Sequence, residues 1–283
     1  LRAGKTACRQ KRKRSPSSGL VAFVVDLRLS ACDGRYQCVI MQGSFLGDAT
    51  CHAQVLKNRS RGIFMKVGLV QFCVGPDPEG NAEQLETMIS KAAEQGCDLV
   101  LTPEASNIIQ PDRAVLNQTV GMAEDDPVFR MAQRVAAQHS ILLCLGSLLV
   151  QGGIDGKLVN RQILLDTTGA VINSYDKIHL FDVSIGDGQH YGESEIFTPG
   201  EEAILSALPD SEAVLGHTIC YDVRFPGLHQ TLAMAGANVL LVPAAFTQKT
   251  GRAHWHTLLR ARAIETGSWL LAAGTCGQHA GER

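Results

Sequence analysis

No stretch of the 283-residue chain approaches the roughly 18 to 20 consecutive apolar residues of a membrane span, because charges or turns break the longest candidates. A soluble protein is expected. The nine cysteines fall at irregular spacings with no C-x-x-C pair, in a chain too long to need stapling. A disulfide framework is therefore not indicated, and a reducing compartment is favoured over a secreted one. The chain has no G-x-S-x-G elbow, so the usual serine-hydrolase turn is absent. Walker and dinucleotide glycine patterns are also missing. His254 and His256 stand two apart, which points them in different directions on a helix, unlike the i, i+4 pair of a zinc protease. His217 and Cys220 fall on opposite faces of a strand. No metal and no cofactor are expected.

What is present is ordinary globular composition, with 45% hydrophobic and 19% charged residues. The net charge of −2 conceals a split. Residues 1–64 hold 12 of the 26 basic and 3 of the 28 acidic residues, a local +9 against −11 for the remainder. A basic tail on an acidic body is indicated. That body lacks the clustered positive charge of a nucleic-acid clamp, which leaves small-molecule chemistry.

Residues 1–64 show no sustained helical or strand period and read as an N-terminal extension: a disordered leader or upstream translation, an organellar transit peptide, or a basic nuclear-type patch around "KRKR". Order begins at Met65. The pattern predicts a strand in "KVGLVQF", a helix capped by Asn81 and stopped by Gly96, and a strand in "DLVLTPE". After an acidic loop come a helix from Pro127 and the buried strand "ILLCLGSLLV", which makes Cys144 a core thiol. A hairpin follows with its turn at "DTTGA". Beyond a polar loop at 182–200, strands in "VLGHTICYD", "NVLLVPAAF" and "SWLLAAGTC" alternate with helices in "PGLHQTLAMAGA" and "HWHTLLRARAIETG". Paired strands between helix layers predict an α/β fold, an α-β-β-α layered sandwich, in one domain spanning 65–283.

Three chemically able residues sit at strand ends, where rigid strands aim side chains clear of the sheet: Glu104, Lys177 and Cys220. Singly, each has a plain alternative as a solvated loop acid, an exposed strand-end charge or a packed thiol. Their combination favours a reactive site over those plain readings, with Cys220 able to act as a nucleophile.

The segments "DLVLTPEA", "YDKIHLFDV", "GHTICYDVRFPGL" and "GRAHWHTLLRARAIE" resemble the nitrilase superfamily of carbon–nitrogen hydrolases, in order and from Met65 to about Gly277. The branch they are most similar to contains ω-amidase and deaminated glutathione amidase. The resemblance implies Glu104 as general base, Lys177 as oxyanion stabiliser and Cys220 as nucleophile, with Glu193 as a second glutamate that positions substrate and supports the base. It also implies the Tyr221 backbone N–H as an oxyanion donor. Arg224 becomes a carboxylate-binding residue, with an ion pair to Asp222 as its alternative, and Thr247 a pocket-lining one.

The implied reaction is hydrolysis of a small carboxylate-bearing amide through a cysteine thioester, with Lys177 favouring the thiolate. N-carbamoyl amide or nitrile hydrolysis are neighbouring alternatives, and an inactive truncated polypeptide is the alternative outside enzymes. Amide substrate and water are the expected partners, without nucleic acid or membrane, in a cytoplasmic homo-oligomer. Gly227 departs from the glutamate of many relatives. The stop at "CGQHAGER" is read as a missing C-terminal part.

Overall fold

The structure, a computed structural model, describes residues 21–28, 38–40, 64–185, 189–209 and 211–279. In chain order the strands are β1 (Val21–Arg28), β2 (Cys38–Ile40), β3 (Phe64–Gln71), β4 (Leu99–Leu101), β5 (Leu142–Gln151), β6 (Leu158–Leu165), β7 (Val171–Asp176), β8 (Asp182–Ile185), β9 (Gln189–Gly192), β10 (Leu205–Ala207), β11 (Val214–His217), β12 (Val239–Leu241) and β13 (Trp269–Ala272). The helices are α1 (Pro78–Glu94), α2 (Arg113–Thr119), α3 (Pro127–His139), α4 (Pro226–Met234) and α5 (Gln248–Thr266).

Two mixed sheets form, in the orders β1-β3-β4-β5-β6-β7 and β10-β11-β12-β13-β2. Their layering follows from side-chain alternation, because successive residues of a strand face opposite sides. Val67, Leu69, Leu99 and Leu101 of the first sheet meet Leu215, Val239, Leu241 and Leu271 of the second in one buried cluster. The intervening residues face outward. Val70 and Val100 pack with Leu85, Ile89 and Val135 of α1 and α3, while Leu240 and Leu270 pack with Leu232 and Leu259 of α4 and α5. The expected α-β-β-α sandwich is therefore the architecture.

Several local expectations change. Asp77, not Asn81, caps α1, accepting from Glu79 and Gly80 N–H with Pro78 in the first turn. Asn81 instead bonds Gly75 N–H at 2.8 Å and the Asn107 carbonyl at 2.9 Å. The acidic loop contains α2, and the polar loop contains the β8–β9 ribbon. Strand β11 stops at His217, so Cys220 opens a 3-10 turn (Cys220–Arg224) three residues later. Within 1–64, Val21–Arg28 pairs antiparallel with β3 and Cys38–Ile40 pairs parallel with β13, in a segment for which no element was expected. The other residues of that extension, and so the expectation of disorder, lie outside the described residues.

Between the sheets, Gly146 on β5 permits an unusually close approach. A Cβ there would lie 1.7 Å from the Thr102 carbonyl oxygen and 2.5 Å from Pro243 Cβ. Overpacking of this kind typically costs about 1–3 kcal/mol, and more when the opposing atom is backbone. Gly146→Ala is expected to lower the thermal unfolding midpoint by at least about 5 °C, measurable by calorimetry. An unchanged midpoint would show that the sheets part without cost.

Candidate active site

Glu104, Lys177 and Cys220 each follow a strand: β4, β7 and β11 respectively. The first two belong to one sheet and the third to the other, so the carboxyl ends of both sheets contribute. The Lys177 ammonium is 1% exposed and lies 3.0 Å from Glu104 Oε1. It lies 3.1 and 2.9 Å from the two carboxylate oxygens of Glu193. The Cys220 thiol lies close enough to Glu104 and Lys177 for both charges to act on its pKa. All four residues named from the sequence converge.

Other groups orient the carboxylates. Glu104 Oε1 accepts from Asn160 Nδ2 at 2.9 Å and Oε2 from the Ala245 backbone N–H at 2.7 Å. Asn160 Oδ1 is buried without a hydrogen-bond partner among the described residues, an unused acceptor on the residue that holds Glu104. Glu193 Oε2 accepts from the Phe181 N–H at 2.9 Å. Its neighbour Glu195 points elsewhere, pairing with Arg113 at 2.9 Å.

Backbone strain marks both the base and the nucleophile. Cys220 and Ala105, the residue after Glu104, have φ of +46° and +53°, a left-handed region that costs residues other than glycine roughly 1–3 kcal/mol. Cys220 is held there by its N–H donating to the Pro243 carbonyl at 2.8 Å, and Ala105 by donation to Ser147 Oγ at 2.9 Å. The Asp222 N–H bonds the Ile219 carbonyl at 3.0 Å. The intervening Tyr221 N–H precedes the first intrahelical bond and has no acceptor among the described residues. Arg262 of α5 donates from Nε to the Val223 carbonyl at 2.8 Å and braces the turn from behind.

The charges set the protonation states. Burial alone would raise the Glu104 pKa, but Lys177, the Cys220 thiol and the Ala245 N–H together hold it below its ordinary value. Lys177 is pulled down by burial and driven well above its ordinary value by Glu104 and Glu193. Cys220 is pushed well up by burial and by the Glu104 charge, against the pull of Lys177. Lys177 does pull toward the thiolate, as expected, but burial first and the Glu104 charge second outweigh it, so the thiol form is favoured beside the carboxylate.

Arg224 is not paired with Asp222, whose oxygens are taken by Tyr175, His179 and the Ile219 N–H. Its guanidinium contacts His254 Nδ1 at 3.2 Å and lies over the Tyr221 and Phe246 rings, 5.8 and 5.4 Å from their centroids. Phe246 packs on the cluster that contains Cys220. The Thr247 hydroxyl pairs with Thr250 Oγ1 at 2.6 Å, so its hydrogen bonding is directed along α5. A Cβ on Gly227 would meet nothing within 4 Å. His217 is a buried core histidine between Gln162 and Ser206, its pKa lowered to about 4 by burial. Cys144 is fully buried, as expected of a core thiol. Among the described residues, no group of three or more His, Cys, Asp and Glu is arranged to hold a metal.

Sequence reasoning missed Asn160, the Ala245 N–H, Asp222 and Arg262. Asp222, inside "GHTICYDVRFPGL", and Arg262, inside "GRAHWHTLLRARAIE", lay in blocks already singled out, whereas Asn160 and the Ala245 N–H carried no signal.

The carbon–nitrogen hydrolase family model matches residues 66–283. A deaminated glutathione amidase of Yersinia enterocolitica is 37% identical over 219 residues, 77% of this chain and 75% of the relative. The human protein of that name is 35% identical over 218 residues, 75% of this chain and 65% of its own length. Among solved structures, the C. elegans NitFhit protein superimposes with a TM-score of 0.71 at 35% identity, covering 77% of this chain and 52% of that one. A mutant amidase from Nesterenkonia sp. AN1, showing the result of Michael addition of acrylamide at its active-site cysteine, gives 0.63 at 30% identity, covering 76% and 80%.

Glu104→Gln removes the charge that opposes thiol ionisation and leaves Lys177 in place. The Cys220 pKa is then expected to fall. The pH–rate profile for alkylation of the Cys220 peptide by iodoacetamide, followed by mass spectrometry, should shift to lower pH in the variant. A midpoint that stays put or rises would contradict this electrostatic account.

Proposed function

The chain belongs to the carbon–nitrogen hydrolase family and is an amidase of the nitrilase superfamily; from that premise we propose that it hydrolyses the amide of a small carboxylate-bearing substrate through a thioester on Cys220. The carrying observation is the Lys177 ammonium bonded to both Glu104 and Glu193, with the Cys220 thiol close to Glu104.

In this reading Glu104 takes the thiol proton as sulfur attacks the carbonyl carbon. An ammonium has three N–H donors. Here they reach Glu104 Oε1 and both Glu193 oxygens; the oxyanion takes over the longer Glu193 contact and meets the ammonium together with the Tyr221 N–H, a donor type worth on the order of 10²–10³ in rate. Protonated Glu104 passes its proton to the nitrogen, ammonia leaves and the thioester remains. Water, deprotonated by Glu104, then attacks the thioester, and the acid and the free thiol are released. Because the thiol form is favoured at rest, base and nucleophile act in one step.

Arg224 selects the substrate. A guanidinium held by an imidazole and two rings, with no carboxylate paired to it among the described residues, is free for bidentate contact with a substrate carboxylate. The relatives named deaminated glutathione amidase support an ω-amide of an α-keto acid or a deaminated peptide as the substrate class. Thr247 is kept as a wall residue beside Phe246.

Residues 65–283 form the hydrolase domain in this reading and residues 1–64 an extension. Cys73, Cys97, Cys144, Cys220 and Cys276 form no disulfide among the described residues, which supports a reducing, cytoplasmic setting. No helix among the described residues is long and apolar enough to cross a membrane. Met234 and Ile264, 90% and 60% exposed on α4 and α5, support a homo-oligomer.

Ammonia release from carboxylate-bearing amides tests the reading. Cys220→Ala is expected to lower turnover by at least about 10³-fold and to abolish thioester trapping by hydroxylamine. Undiminished turnover would remove the assignment. Arg224→Lys should weaken kcat/KM for carboxylate substrates by about tenfold more than for neutral amides, and equal losses would reject the selective role.

A further inference from the structure

Lys177 and Cys220 sit on different sheets, yet the residues on either side of each converge on one carboxylate. Asp222, two residues after Cys220, is fully buried. Its Oδ2 accepts from the Ile219 N–H at 2.8 Å, just before the sulfur, and from the Tyr175 hydroxyl at 2.7 Å, two residues before Lys177. Its Oδ1 accepts from the His179 N–H at 3.1 Å and lies 2.7 Å from His179 Nδ1, two residues after Lys177. The Tyr175 oxygen in turn accepts from the Ile178 N–H at 3.3 Å. The His179 ring stacks on Phe225, at the end of the nucleophile turn, with centroids 3.6 Å apart.

Two consequences follow. The reciprocal bonds between Ile219 and Asp222 close a ring around Cys220 and keep its left-handed backbone from relaxing. The same carboxylate holds the Tyr175 side chain before Lys177 and the His179 backbone after it, which ties the two segments together. We propose that Asp222, with Tyr175 and His179, positions the Lys177 ammonium against the Cys220 sulfur. This rests on the reading of those two residues as oxyanion partner and nucleophile. None of the three needs to touch substrate.

Asp222→Asn risks misfolding, because a buried carboxylate with four donors is being altered. His179, with its side chain 24% exposed, is the practical site. His179→Ala removes the ring donor, whereas His179→Asn returns an N–H near the position of Nδ1. The alanine variant is expected to lower kcat about 10- to 100-fold with KM changed less than about twofold. The asparagine variant should recover most of that loss, with both melting midpoints within about 3 °C of each other. Alkylation of Cys220 by chloroacetamide needs no amide turnover, and it should slow in the alanine variant and recover in the asparagine variant.

If the wild type hydrolyses amides and all three proteins share one kcat and one alkylation rate, the positioning role is overturned while the amidase reading stands. If the wild type hydrolyses no amide but the alkylation pattern holds, the functional reading falls and the positioning role survives. Asparagine as slow as alanine would make His179 a packing residue and overturn its part in the device.

Discussion

Everything at the reaction centre depends on one buried ammonium shared by two carboxylates. Taking the Lys177 charge out of water is costly, and breaking a buried ion pair by deleting one partner typically costs about 3–5 kcal/mol. The cluster is stable only while Glu104 and Glu193 remain within about 3 Å of the nitrogen. That requirement dictates much of the surrounding architecture. Glu104 is fixed by Asn160 and the Ala245 N–H, Glu193 by the Phe181 N–H, and the lysine backbone by a bond from its N–H to the Asn160 carbonyl at 2.9 Å. A single residue, Asn160, thereby holds the Glu104 carboxylate with its side chain and the Lys177-bearing strand end with its main chain.

The electrostatics and the chemistry favour different things, and the fold settles the conflict. A nucleophile is most reactive as a thiolate, but a third negative charge beside two carboxylates in a desolvated site is unfavourable. The outcome is a thiol pKa raised by burial and by the Glu104 charge. Ionisation is thus favoured only when the carbonyl carbon is present to receive the electron pair and the oxyanion can draw on the ammonium. The strained backbone at Cys220 and Ala105 is tolerated because both N–H groups have fixed acceptors, the Pro243 carbonyl just beyond β12 and Ser147 Oγ on β5.

How much of this could be read from the sequence divides along physical lines. Helix α3 was plain because Pro127 and Asp126 mark its start and its apolar spacing is regular. The alternation in β3 and the uninterrupted apolar run of β5 were equally plain. Glu104, Lys177 and Cys220 were legible because each lies in a compact block, and spaced blocks in order identify a family; Glu193, outside those blocks, was named only through that resemblance. Helix α2 was hidden because only Leu116 of its seven residues is buried, leaving no periodic stripe. The α1 cap was misplaced because Asn81 resembles a capping residue but spends its amide across the loop. Asn160 and Ala245 stand 56 and 141 residues from the Glu104 carboxylate they bind. No local pattern encodes a partner that arrives only when two sheets are laid together. Asp222 was within a recognised block, yet its neighbour Arg224 drew attention to the wrong ion pair.

The close approach at Gly146 gives the site a geometric limit. Thr102 stands two residues before Glu104, and Pro243 two before Ala245, so the space over that glycine separates the arm carrying the acid from the arm carrying its amide donor. Pro243 also receives the nucleophile's own N–H. The clearance is narrower than a methyl group, the smallest increment by which a glycine can grow. Alteration at this point therefore cannot be gradual: any larger residue would have to arrive together with a coordinated retreat of main chain in both layers, and the reacting groups would move with it.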